Sequence, residues 1–305
     1  MPVPIYAQFT FGSTTNLITF NDKSQDYVFK ARRRYATQRD IRQFDTVVPD
    51  ESGVVDYQTL IGKMYYVVEG TLYGRNESSL YIGMEKLRKA TSPAITQEDV
   101  ESDNGYLPIK WSENVDKQIW AKPLYVDIPE TRRSAMKPSF RILFKIKRPF
   151  IESQAYHTTT FSADTTSGVG LPVPTAGIEI NTGGVGVGAD TGSGSGIAEN
   201  IGDYKAYPTI NITAPINKPR ITNGATGKYI EFNYNLSTGT ANITMDYDGI
   251  VATTSGGVNL LQYLTASSDI ENFYLRSGEN QLTLTATSIG SGADITVSWK
   301  DFWPI

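Results

Sequence analysis

The chain has 305 residues, 39% hydrophobic and 20% charged, with a net charge of -4; these are ordinary globular values that argue against a disordered chain or a coiled coil. It contains no cysteine, which excludes disulfides, a thiol nucleophile and cysteine-based zinc or iron–sulfur sites. At this length two domains are expected, and because apolar runs are short and Met1-Pro2-Val3-Pro4 lacks the marks of a secretory signal, the expectation is a soluble protein not exported by that route.

In chain order, the first distinctive feature is Arg32-Arg33-Arg34, followed by Tyr35. Such a run can contact phosphate, but nucleic-acid binders spread basic clusters over a face, and a solvated or subunit-pairing strand is the preferred reading. Tyr65-Tyr66-Val67-Val68 and Thr71-Leu72-Tyr73 are extended runs flanking Glu69-Gly70. Leu80, Met84 and Leu87 follow helical spacing, and Glu85 stands four residues before Lys89. A principal helix over Glu77 to Ala90 is therefore predicted, stopped before Pro93 and lying across a sheet. Glu98, Asp99, Glu101 and Asp103 lack a glycine at calcium-loop spacing and read as a solvated face. Phe140, Ile142, Phe144 and Ile146 alternate with Arg141, Lys145 and Lys147, the period of a half-buried strand.

Charge then divides the chain. Through Phe150 there are 22 Lys and Arg against 18 Asp and Glu; the remainder has 6 against 14, so the two parts carry +4 and -8. No lysine or arginine occurs between Arg148 and Lys205. His157, the single histidine, has no motif serine or cysteine beside it and is read as a surface or strand residue. Ser167 to Gly196 is rich in glycine and small residues and is expected to be a linker, long loop or arm. Within it, Gly184-Val185-Gly186-Val187-Gly188 lacks the strand-then-helix setting and terminal Gly-Lys-Ser/Thr of a phosphate loop.

From about Asn200 the sequence is written in strand period. Ile230, Phe232 and Tyr234 alternate with polar residues, as do Ala241, Ile243, Met245 and Tyr247; Leu282, Leu284 and Ala286; and Ala293, Ile295, Val297 and Trp299. The glycine-bearing link Ser288 to Gly292 makes the last two runs a predicted hairpin. Turn chemistry at Asn223-Gly224, Asp248-Gly249, Gly256-Gly257 and Gly278-Glu279-Asn280 separates short strands, the pattern of an antiparallel sandwich or jelly roll. Asp246 and Asp248 flank a strand end and read as solvated carboxylates. Trp299 falls on the apolar side of its strand, and Phe302 and Trp303 are expected to pack on the sandwich.

Asn200-Ile201-Gly202-Asp203-Tyr204-Lys205-Ala206-Tyr207-Pro208, then Ala214-Pro215-Ile216-Asn217-Lys218-Pro219-Arg220-Ile221-Thr222-Asn223, resembles the opening of the carboxy-terminal galectin-like domain of siphophage distal tail proteins. Gly278-Glu279-Asn280, Trp299 and Trp303 fit the same pattern, and the upstream order of extended runs, Glu69-Gly70, a helix and a strand running into Arg148-Pro149-Phe150 is similar to that family's ring-forming domain. The glycine-rich stretch departs from the family plan. The resemblance implies a mainly β protein in three parts: a ring-forming domain with one main helix at 1-160, a glycine-rich segment at 161-199, and a galectin-like β-sandwich at 200-305. It implies a structural virion protein at the distal end of a phage tail, a homo-hexameric hub ring joining the tail tube protein to tail-tip and receptor-binding proteins. DNA would pass through the lumen without specific binding, and no membrane is involved. No catalytic, cofactor-binding or metal residues and no cofactor are expected. The alternative is a carbohydrate-binding module or cell-wall-binding tail protein. Sequons at Asn76, Asn211, Asn235 and Asn242 would stay bare in a protein made in bacteria.

Overall fold

The computed structural model describes residues 8–36, 41–42, 45–47, 54–56, 60–61, 64–99, 103–111, 116–128, 137–148, 150–162, 193–247 and 249–304. The chain divides into two compact units, Met1–Gln154 with Pro304–Ile305, and Ala155–Trp303. Strands dominate both, as expected.

The first unit contains β1 (Phe9–Phe11), β2 (Ile18–Phe20), β3 (Tyr27–Ala36), β4 (Ile41–Arg42), β5 (Asp45–Val47), β6 (Val54–Asp56), β7 (Leu60–Ile61) and β8 (Tyr65–Gly74). Helices α1 (Glu77–Ala90) and α2 (Pro93–Glu98) follow, then β9 (Leu107–Trp111), β10 (Lys117–Asp127), β11 (Ser139–Ile146) and β12 (Phe150–Ser153). The hydrogen-bonded order β11-β8-β3-β2-β1-β9-β10 returns to its start because β10 also pairs with β11, from Ala121↔Ile146 to Asp127↔Arg141. Seven strands thus close into a barrel-like sheet, which removes the edges an open sheet would expose. The thinnest seam is β2 against β3, a parallel contact with one register pair, Phe20↔Phe29. Asn21 extends it from a left-handed φ of 63°. Its N–H donates to the Phe29 carbonyl at 2.8 Å, and its side-chain Oδ1 accepts from the Ala31 N–H at 2.9 Å.

Alternation places Phe9, Phe11, Ile18, Phe20, Phe140 and Phe144 in the core of this unit, all buried. Phe9 stacks on Phe20 at 4.4 Å between centroids, and Phe11 meets Phe144 edge-on at 4.8 Å. The two apolar runs around Glu69-Gly70 form one ten-residue strand, β8. Glycine is required within it, because a Cβ at position 70 would lie 2.3 Å from the Lys30 carbonyl oxygen and 2.5 Å from the Phe140 ring. Helix α1 spans the predicted residues. Asn76 caps it by accepting the Ser79 N–H at 2.8 Å while Ser79 Oγ accepts the Asn76 N–H, and Glu85 pairs with Lys89 at 2.8 Å. Leu80 and Leu87 are buried on the face turned to the sheet. Pro93 ends nothing further: it is the first residue of α2, where its missing N–H costs no helical bond.

The second unit holds β13 (His157–Ser162), β14 (Ser193–Asn200), β15 (Thr209–Thr213), β16 (Ile216–Asn217), β17 (Arg220–Asn223), β18 (Lys228–Glu231), β19 (Asn235–Leu236), β20 (Thr240–Asp246), β21 (Gly249–Thr254), β22 (Gly278–Thr285), β23 (Ser288–Ile289) and β24 (Asp294–Trp299). They form a five-stranded sheet β13-β24-β15-β20-β21, a four-stranded sheet β14-β22-β17-β18 and a small sheet β19-β16-β23. Each of the two larger sheets buries one face: Ile210, Ile212, Ile243, Ile295 and Val297 on one, Ala198, Ile221, Ile230, Leu282 and Leu284 on the other.

Two expectations are redrawn. The predicted hairpin of 282–286 with 293–299 does not form: β22 pairs with β14 and β17, whereas β24 pairs with β13 and β15 in the other sheet. The link between them crosses sheets, with β23 pairing to β16 on the way and Gly290 packed against Pro215. Alternation cannot distinguish these arrangements, since either buries the same residues. The expected boundary at 160 falls inside β13, which belongs with β24, and β14 takes in 193–199 of the segment expected as linker. Residues 163–192, including the Gly184–Gly188 run, lie outside the described residues.

Candidate functional site

In the second unit the residues of the motif around Asn200 to Asn223 turn inward. Asn200, Asn223 and Asn280 are fully buried. Asn280 Oδ1 accepts from the Arg276 N–H at 3.0 Å and from Asn223 Nδ2 at 3.1 Å, while its Nδ2 donates to the carbonyls of Arg276 (2.8 Å) and Gly278 (2.9 Å). Asn223 Nδ2 also donates to the Tyr274 carbonyl at 2.8 Å. Asn200 Nδ2 donates to the carbonyls of Tyr204 (2.9 Å) and Leu275 (3.2 Å), and its Oδ1 accepts from the Gly202 N–H at 3.0 Å. Three side-chain amides thus stand in for backbone ladders where β14, β17 and β22 meet the loop at 274–278. Their chemistry is structural: buried amides satisfied on both ends fix a loop. Gly278 has φ 89°, the left-handed turn conformation expected of it.

His157 lies at the start of β13, its ring stacked on buried Trp299 at 5.9 Å. Its Nε2 stands 2.8 Å from Oδ2 of fully buried Asp301, whose Oδ1 accepts from the Ile201 N–H at 3.2 Å. Burial pushes the Asp301 carboxyl up, against the pull of His157, Trp299 and the N–H groups of Ile201 and Gly202. Lys205 stands over the rings of Tyr207 (5.2 Å) and Tyr274 (5.4 Å), and its hydrogen bond to Tyr207 holds its ammonium above the usual lysine range.

The five-stranded sheet turns its other face outward. Register sets Thr160, Thr296, Asn211, Asn242 and Thr253 in one row across all five strands, and Thr158, Ser298, Thr209, Thr244 and Val251 in the row beside it. Alternate strand residues point to one side, so the same spacing that buries Ile210, Ile212 and Ile243 turns these outward. Thr158 and Ser298 hydroxyls lie 3.3 Å apart, and those of Thr160 and Thr296 3.1 Å. Neither row carries a charged side chain.

Elsewhere the sequence candidates separate. Arg32 is exposed on the first unit and donates to Tyr73 Oη at 3.0 Å; with Glu69, Asp127 and Arg141 it lines an open cleft of about 390 Å³. Arg141 pairs with Glu69 at 3.3 Å, so that cleft carries both signs. Glu98 ends α2, Asp103 pairs with Lys147, and Asp246 accepts from the Tyr247 N–H at 2.7 Å; Glu101 and Asp248 lie outside the described residues. Among the described residues no group of three or more His, Asp or Glu side chains is placed to hold a metal ion.

Comparison with known proteins follows the same division. Residues 201–303 match the family described as the siphovirus-type tail component, C-terminal domain. That match lies within the second unit. The matched span opens at Ile201, beside the first of the buried asparagines, and closes at Trp303. By structure the chain is similar to the Dit protein (gp 19.1) of phage SPP1, described as a paradigm of the hub adsorption apparatus in phages infecting Gram-positive hosts. The TM-score is 0.59 at 15% identity, over 96% of this chain and 98% of that one. What is shared at that identity is the fold, here a mainly β chain with a barrel-like sheet. The phage P2 baseplate in its activated conformation with calcium aligns at TM-score 0.41 and 10% identity, over 96% of this chain and 97% of that one, a level on which no argument rests. No curated protein matches the sequence at a significant level.

The sequence singled out the motif at 200–223 but not what its asparagines do, and Asn211 and Asn242 read only as sequons. Their opposition across β15 and β20 comes from the strand register, which the sequence does not state. Asp301 carried no sequence signal as a buried partner of His157, because only tertiary packing brings residues 157 and 301 together.

Proposed function

We propose that this protein is a structural hub of a phage tail: a homo-hexameric ring at the distal end that joins the tail tube protein to tail-tip and receptor-binding proteins. The observation that carries the reading is the pairing of the family match at 201–303 with a fold similar to SPP1 Dit over 96% of the chain. The closed barrel-like sheet suits a rigid ring element, and the part of the chain through Phe150, at +4, repels its own copies less than the remainder at -8. The first unit therefore forms the ring, and the second stands at its periphery. In this reading the chain performs no catalysis, and DNA passes through the ring without specific contacts.

Mass measurement of the purified protein across concentrations, with electron microscopy of the same samples, tests it. A closed ring of six copies is expected. A strict monomer at all concentrations, with no ring in particles containing the protein, would remove the proposal.

A further inference from the structure

We propose that the outward face of the five-stranded sheet binds a neutral saccharide chain, with the opposed amides of Asn211 and Asn242 at its centre and Tyr156 as a stacking ring at its end. The argument starts from the register. Asn211 and Asn242 face one another on adjacent strands, and in the rows around them stand the hydroxyls of Thr160, Thr296, Thr209 and Thr244. Strands lie about 4.8 Å apart and alternate residues roughly 6.8 Å apart along each, so the face is a lattice of donors and acceptors. β-branched threonines hold their hydroxyls in few rotamers, and an ordered ligand then costs less side-chain entropy.

The chemistry of the lattice selects the ligand. Hydroxyl and amide groups donate and accept, while threonine methyls supply apolar patches between them; a sugar ring presents the same alternation of C–H and O–H. The two central rows have no charge to meet a phosphate, a carboxylate or an ammonium. The charged outward residues lie at the strand ends, Asp246 on β20 and Asp294 on β24. At the end of the face where β13 begins, Tyr156 is 64% exposed, with Lys300 Nζ 5.0 Å from its ring centroid. An exposed aromatic beside a neutral hydrogen-bonding surface is suited to stack on a sugar face. Rows of hydrogen-bonding groups that run across five strands fit an extended polymer better than a single sugar, and this inference does not depend on the ring assembly.

The test is affinity electrophoresis of the full chain through gels containing dextran, laminarin or hydroxyethyl cellulose, with dextran sulfate as the charged control. Retardation by at least one neutral polymer is expected. Asn211→Ala with Asn242→Ala, and separately Tyr156→Ala, lower the association constant roughly tenfold, the scale of one or two lost contacts, with the melting temperature kept. The proposal is overturned if no neutral polymer retards the protein, if only dextran sulfate does, or if the variants migrate like the parent. It is equally overturned if the double variant changes the mass of the protein without polymer, for the face would then be a contact between copies.

Discussion

A single buried amide in the second unit serves as many backbone groups as a short strand pair. Asn280 takes part in four hydrogen bonds of 3.1 Å or shorter at no exposure. Replacing it by alanine strands the Arg276 N–H and the carbonyls of Arg276 and Gly278 without partners. Each unsatisfied group costs on the order of 1–3 kcal/mol, partly recovered by relaxation. Asn280→Ala is expected to destabilise the unit by about 2–4 kcal/mol and lower its melting temperature by about 5–15 °C, read by circular dichroism. Asp301 makes a prediction in pH. Its folded carboxyl titrates above its unfolded value because it is buried, so the folded state holds this proton more tightly. The stability it contributes is complete below the unfolded carboxylate pKa of about 4 and is lost as pH rises through the folded value. Melting curves of Asp301→Asn and the parent between acid and neutral pH should therefore diverge in the variant's favour as pH rises. A difference that stays constant, or moves the other way, would show that His157 and the Ile201 and Gly202 N–H groups outweigh the burial.

At the scale of elements, β14 is the instructive case. Its sequence, Ser193-Gly194-Ser195-Gly196, has the composition of a linker, yet it pairs with β22 over eight residues. Gly196 explains why a small residue is needed there: a Cβ would lie 2.3 Å from the Phe161 ring, which is buried. Gly196→Val is expected to cost about 1–3 kcal/mol through overpacking, whereas Gly278→Asn, at a left-handed position with open space around its Cβ, should cost less than about 1 kcal/mol. Urea denaturation of the two variants separates them. Helix α1, by contrast, was legible to the residue, because Asn76, the 3.6-residue apolar period and Glu85-Lys89 are local signals that agree.

At the scale of the molecule, the division at Gln154 replaces the expected one at 160, and it changes where a truncation should be made. A chain ending at Gln154 is expected to keep the barrel-like sheet and, in the proposed hub, to assemble into the same ring as the full protein, measured by light scattering and microscopy. A truncation after 160 would leave β13 without β24, its partner across six residue pairs. A folded, monomeric 1–154 fragment would place ring formation in the other unit and reverse the proposed roles.

The sequence by itself determined the strand-rich class, the single principal helix, the buried faces of the second unit and the motif that resembles siphophage tail proteins. These are written in local period and spacing, where side-chain direction follows from residue number alone. Only the tertiary structure decided that β22 and β24 part company, that seven strands close on themselves, that Asn200, Asn223 and Asn280 face inward, and that His157 meets Asp301. Alternation states which face is buried but not against which strand. An amide or a carboxylate far along the chain finds its partner only after the sheets have closed around it.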